Sequence, residues 1–406
     1  MKRREFIALL GSVIAGGTLA AQALAAERRY DQGASDTEIK IGNIMPYTGP
    51  ASTYYLVGRT EEKYFTKINA EGGISGRKIT FISYDDAYIP SRALEQARRL
   101  VEQDGVLLIF QSAGTASNAA IRSYMNEKKV PQLFVASGAA KWNDPKNFPW
   151  TMGWQPNYQS EGRIYAEYLL EKRGGGKIGI LYQNDEYGRD YLKGLEDGLS
   201  EKIPVVAEAT YEVSDRTVDS QIIELQGSGA DIFFNVTIPK FTAMAVRKAA
   251  EIGWHPFHLL NNVSSSVGSS LTSAGLHNVL GTVSTAYFKQ PGDPVWEDDP
   301  AYRDWAAFMD NYFPGGGRTS SETVYGYLAA QTLVEVLRRC GDDLTRDNIM
   351  KHAAGLEKLE LGMLLPGITI NTSPNDYAPI KQMQMQRFGY GWERFGPVIT
   401  GDVGTR

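Results

Sequence analysis

The chain has 406 residues, 42% hydrophobic and 22% charged, a make-up that fits a folded globular protein long enough for two domains. Its formal net charge of −5 gives no reason to expect nucleic acid or an anionic membrane as partner. Its one cysteine, Cys340, excludes an intrachain disulfide and reads as a buried thiol at a helix end.

Residues 1–25 read as a cleavable export segment. Met1-Lys2-Arg3-Arg4 is basic, an apolar run follows from Phe6 to Leu24, and Ala23-Leu24-Ala25 fits a small-x-small cleavage site. Gly11, Ser12, Gly16, Gly17 and Thr18 make the run a poor permanent span. Arg3-Arg4 ahead of Glu5-Phe6-Ile7 resembles a twin-arginine signal, and an ordinary Sec signal fits equally well. No cysteine stands at the cleavage point, so a lipid anchor is not expected.

Beyond it, strand and helix patterns alternate. Strands are expected over 38–45, 78–84, 106–110 and 132–135. Helices are expected over 54–70, from about Ser91 as N-cap to 103, and over 117–128. The rhythm restarts with strands at 177–182, 205–209, 231–236 and 257–260 and helices at 186–199, 218–226 and 240–252. Alternation of this kind builds parallel sheets flanked by helices, and two rounds of it imply two similar lobes. A helix over 324–339 and strand-like alternation over 364–387 follow.

In order and spacing, several stretches resemble the leucine/isoleucine/valine-binding family of periplasmic receptors. They are Ile39-Lys40-Ile41-Gly42 with Thr48-Gly49-Pro50, the run from Ile68-Asn69 through Gly72-Gly73-Ile74-Ser75-Gly76-Arg77, Tyr84-Asp85-Asp86-Ala87, and Asn184-Asp185-Glu186-Tyr187-Gly188. The resemblance implies an α/β clamshell of type I with three crossovers at a hinge. One lobe would comprise residues 37–155 and about 285–362, the other 156–284 and about 363–406. It also implies a periplasmic solute-binding protein of an ABC importer, with permease and ATPase subunits as partners, a monomer with no cofactor and no enzymatic activity. A sensor module of the same fold and an exported hydrolase are the alternatives.

Ligands of open parallel sheets bind beyond the carboxyl ends of the strands, so the loops there hold the candidates. Gly114-Thr115-Ala116-Ser117 offers small residues and hydroxyls at a helix start, suited to an anion. Ser137-Gly138-Ala139 is a second small loop, which in the family contacts the same solute. Tyr54 and Tyr187 stand at the family's positions for rings covering the ligand, and Thr237, Asn262 and Ser264 lie in second-lobe loops. Where amino-acid-binding members place a carboxylate for the ligand's ammonium, Asn261 to Ser266 offers only amides, hydroxyls and Val263. A buried ammonium with no counter-charge is costly, so an organic or aromatic acid without an amine is expected over an amino acid. No H-E-x-x-H, Walker loop or G-x-S-x-G is present, and His255 and His258 are read as packing or surface residues with no metal.

Overall fold

A computed structural model describes residues 28–199 and 202–401, so the export segment lies outside the described residues. The first lobe holds a five-stranded parallel sheet. Its order is Lys78–Asp85, Glu38–Met45, Leu108–Phe110, Gln132–Val135 and Thr151–Gly153. Leu108–Phe110 and Gln132–Val135 are buried throughout, which is why they read as continuous apolar runs. The second lobe holds seven strands. Val205–Tyr211, Ile178–Gln183, Ile232–Val236, Phe257–Leu260 and Val283–Ala286 are parallel, and Gln382–Phe388 and Trp392–Thr400 close the edge antiparallel.

The chain passes between the lobes three times: after Gly153, after Ala286, and before Gln382. Between the second and third passages it adds the helices Pro300–Tyr312, Ser321–Cys340 and Arg346–Ala353 to the core beneath the first sheet. Ser321–Cys340 is apolar on most sides and buried accordingly. It packs closely on Tyr55–Ala70 at Gly326, where a Cβ would stand 2.7 Å from the Val57 carbonyl oxygen. Arg77 is almost fully buried there, donating to the Ser35 carbonyl at 3.1 Å and pairing with Asp342 just past that helix.

Some local expectations need correction. The N-cap before the second helix is Ile89 rather than Ser91, because Pro90 with its fixed φ takes the first helical position. Residues 364–380 form only isolated bridges, since Pro366, Pro374 and Pro379 cannot donate to a ladder. The strands Thr151–Gly153, Val283–Ala286 and Trp392–Thr400 are additions to the expected set, as are the helices Tyr158–Lys172, Pro300–Tyr312 and Arg346–Ala353.

Candidate ligand site between the lobes

Both sheets reverse their direction of growth beside their first strand. In the first lobe the switch falls between Glu38–Met45 and Leu108–Phe110, in the second between Ile178–Gln183 and Ile232–Val236. The loops leaving those strands diverge and open a crevice, the usual ligand position in such sheets. The crevices face one another across a cavity with about 740 Å³ of empty space counted out to its mouth. Tyr54, Gly114 and Thr115 reach it from the first lobe's switch-point loops, Tyr187 and Ile238 from the second's.

Gly114 has φ +93° and precedes the helix Thr115–Glu127, with no side chain capping the first turn. Its missing Cβ leaves room for Tyr88, whose ring edge would lie 2.4 Å from such an atom. The backbone N–H groups of Thr115, Ala116 and Ser117 have no intrahelical partner, as in any first turn, and carry the positive end of the helix dipole. The Thr115 hydroxyl lies 2.7 Å from that of Ser137, within hydrogen-bond distance. Six tyrosines, Tyr54, Tyr88, Tyr158, Tyr187, Tyr287 and Tyr325, line the wall, with Phe288, Val57 and Val263 beside them. Tyr54 carries a buried hydroxyl with no partner among the described residues. The Tyr187 hydroxyl accepts from the Asn261 amide.

Of the sequence candidates, Tyr54, Gly114, Thr115, Tyr187 and Asn262 line the cavity. The others stand behind it, for reasons visible in their bonds. Ser117 turns away to donate to Asp86 at 2.7 Å, and Ala116 sits on the same first turn without reaching the wall. Ser137 supports Thr115 and accepts from the Trp142 indole at 2.9 Å. Gly138 is pressed against Pro156 and Tyr158, where a Cβ would meet backbone oxygen at 2.3 Å, and Ala139 is buried beside it. Thr237 donates to Asn235 at 2.6 Å, and Ser264 donates to the Thr237 carbonyl, so both hydroxyls serve the loop itself.

Asn262 is held by its backbone N–H, which donates to Glu161 at 2.7 Å. Glu161 is buried and also receives the hydroxyls of Tyr165 at 2.7 Å and Tyr191 at 2.6 Å. Burial raises its pKa, and those donors pull the other way. Tyr191 in turn packs on Tyr158 and Tyr187, so one carboxylate orders much of this wall.

Sequence reasoning missed Glu322 and its neighbour Ser321, and among the rings Tyr88, Tyr158, Tyr287 and Tyr325; Ser266 ends the loop from Asn261 to Ser266 already singled out. Glu322 enters from the start of Ser321–Cys340, far along the chain from the switch-point loops. Among the described residues, no Lys, Arg, His or Asp joins it in the lining. Its carboxylate accepts from Ser266 at 3.0 Å and Ser269 at 2.6 Å. Burial pushes its pKa above the ordinary range, and the two hydroxyls partly oppose this. A strand–loop–helix search could not find it, because its helix follows an irregular turn rather than a strand.

The cavity thus lies between two parallel-sheet lobes, with tyrosine rings from both lobes and polar groups such as Thr115, Asn262 and Glu322 in its lining. The periplasmic binding protein family model matches residues 38–391, and the chain belongs to that family. A Leu/Ile/Val-binding protein homolog 7 from Brucella abortus is 25% identical over 380 residues, covering 87% of this chain and 90% of that protein. Homolog 8 from the same organism is 22% identical over 367 residues, covering 86% and 88%. In solved structures, the fold is similar to that of a branched-chain amino acid ABC transporter from Thermus thermophilus with bound valine. The TM-score is 0.81 at 17% identity, over 90% of this chain and 97% of that one. A fatty acid ABC transporter substrate-binding protein from Thermomonospora curvata gives 0.78 at 20% identity, over 92% and 95%. No helix among the described residues is long and apolar enough to cross a membrane.

Proposed function

We propose that the chain is the exported solute receptor of an ABC importer. It closes its lobes on a small carboxylate-bearing solute and delivers it, unaltered, to membrane permease and ATPase subunits. The observation that carries the solute class is the helix start at Thr115, with first-turn N–H groups and a hydroxyl at a ring-walled cavity. A helix N-terminus favours an anion, and small residues let it come close. Valine and fatty acid, named with two structural neighbours, are both carboxylates. The tyrosines suit a flat or branched apolar body.

Taken alone, the loop from Asn261 to Ser266, with no carboxylate, would favour an acid without an amine. Glu322 supplies, from another segment, the counter-charge that this loop lacks. The reading therefore takes in a solute with a hydrogen-bond donor or ammonium at its far end, and the preference for an amine-free acid no longer follows from the loop.

Thermal shifts with phenylacetate, 4-hydroxybenzoate, L-phenylalanine and L-leucine test this, each beside its own amide. A ligand at 100 times its dissociation constant adds about 2.7 kcal/mol to stability. The acids should stabilise and the amides should not. Replacing Thr115 with Val should weaken the best acid by about 1–3 kcal/mol, the scale of a hydrogen bond to a charged group. Amides that stabilise as well as acids would refute the anionic end. Mass spectrometry of the protein purified from its own host would then name the solute.

A further inference from the structure

The segment carrying Glu322 belongs to the first lobe, since its helix packs on Tyr55–Ala70. The residues it holds belong to the second. Ser266 and Ser269 lie between Phe257–Leu260 and Val283–Ala286, on a loop packed under Trp392, whose indole donates to the Ser265 carbonyl at 2.8 Å. Both oxygens of Glu322 are therefore occupied by the opposite lobe, at 3.0 and 2.6 Å.

Two backbone contacts run alongside. The Ser321 N–H donates to the Ser266 hydroxyl oxygen at 3.0 Å, and the Gly268 N–H donates to the Thr319 carbonyl at 3.1 Å. The approach is close enough that a Cβ on Gly268 would stand 2.6 Å from the Thr319 hydroxyl and 2.8 Å from that of Ser320. A buried carboxylate with no cation in the cavity wall depends on such donors, and losing them inside the closed cleft leaves a charge unsatisfied.

We propose that Glu322 is the clasp of the closed form: it joins the first-lobe helix to the second-lobe loop through Ser266 and Ser269 and holds the lobes together independently of which solute is bound. The inference goes beyond the solute reading, and its test uses no solute, so either can fail alone. The measurements are small-angle scattering and amide exchange on solute-stripped protein, comparing the parent with Glu322→Ala, Glu322→Gln and the double variant Ser266→Ala/Ser269→Ala. Glu322→Ala and the double variant should both give a larger radius of gyration and about ten-fold faster exchange over residues 262–271, a factor in line with losing a charged hydrogen bond. Glu322→Gln keeps one carbonyl acceptor and should fall between. The double variant leaves no apolar substitution at Glu322, so it decides the case if Glu322→Ala loosens the whole fold. Parent-like scattering and exchange in the double variant would overturn the proposal.

Discussion

Single residues here show how burial sets chemistry. His258 stacks on Phe233 at 5.2 Å, with its ring nitrogens 2.9 Å from Thr282 and 3.3 Å from Asn235. Burial lowers its pKa to about 3. An unfolded chain takes up this proton below about pH 6.5, while the folded one stays neutral until about pH 3. Its contribution to stability is therefore complete above the unfolded value and is lost as pH falls from there toward the folded one. The slope is about 1.4 kcal/mol per pH unit in the middle of that window. Urea melts from pH 7.5 to 5 should show that fall in the parent and a shallower one in His258→Asn, although the variant starts less stable. Equal slopes would mean that the imidazole takes up its proton as readily in the fold as in the unfolded chain. The same scale explains what was readable in the site. Tyr54, Thr115, Tyr187 and Asn262 follow strands in sequence, so the rule of strand ends finds them. Whether a hydroxyl then points at the cavity or at its own loop, as with Thr115 against Ser117 and Thr237, depends on neighbours such as Asp86 and Asn235 that are distant in sequence or on the same strand end.

At the scale of elements, the helices Tyr158–Lys172 and Glu186–Leu199 pack unusually closely. Small residues make that possible. A Cβ on Gly194 would lie 2.1 Å from the Gln159 carbonyl oxygen, and one on Gly162 would lie 2.6 Å from that of Tyr191. Both obstacles are backbone, which cannot swing aside. Gly194→Ala should therefore destabilise by about 1–3 kcal/mol, although alanine favours helix more than glycine does. Chemical denaturation would show it, and a neutral or stabilising result would mean the helices can part at little cost. Because Tyr191 and Tyr187 ride on one of these helices, the same change should also disturb the cavity wall. Helix and strand positions were largely legible in hydrophobic periodicity. The short strand Thr151–Gly153 and the helices added after the second passage were less so, since three buried residues carry no periodicity and a helix cannot announce which sheet it will cover.

For the whole molecule, the two switch-point crevices facing each other make solute capture an event of relative lobe position. A solute touching both favours the closed arrangement by its difference in affinity for the two. With the Glu322 clasp holding only part of the solute-free population closed, scattering of the stripped parent should still show a smaller radius once the solute identified by mass spectrometry is added, with the secondary structure unchanged. A profile that saturating solute leaves unaltered would count against hinged capture.

The three passages between lobes also have a consequence for assembly of the fold. The first sheet is synthesised early, yet its core includes Leu328, Leu333 and Leu337 from a helix made nearly two hundred residues later. The second sheet is nearly contiguous in sequence, but its last two strands come at the far end of the chain. Neither core can be completed in the order in which it is begun. A chain of this connectivity relies on long-range pairing and folds slowly for its size. It keeps apolar surface uncovered until its final segment is present, and a truncation before Gln382 would strip the second sheet of its last two strands while the first-lobe segments stayed in place.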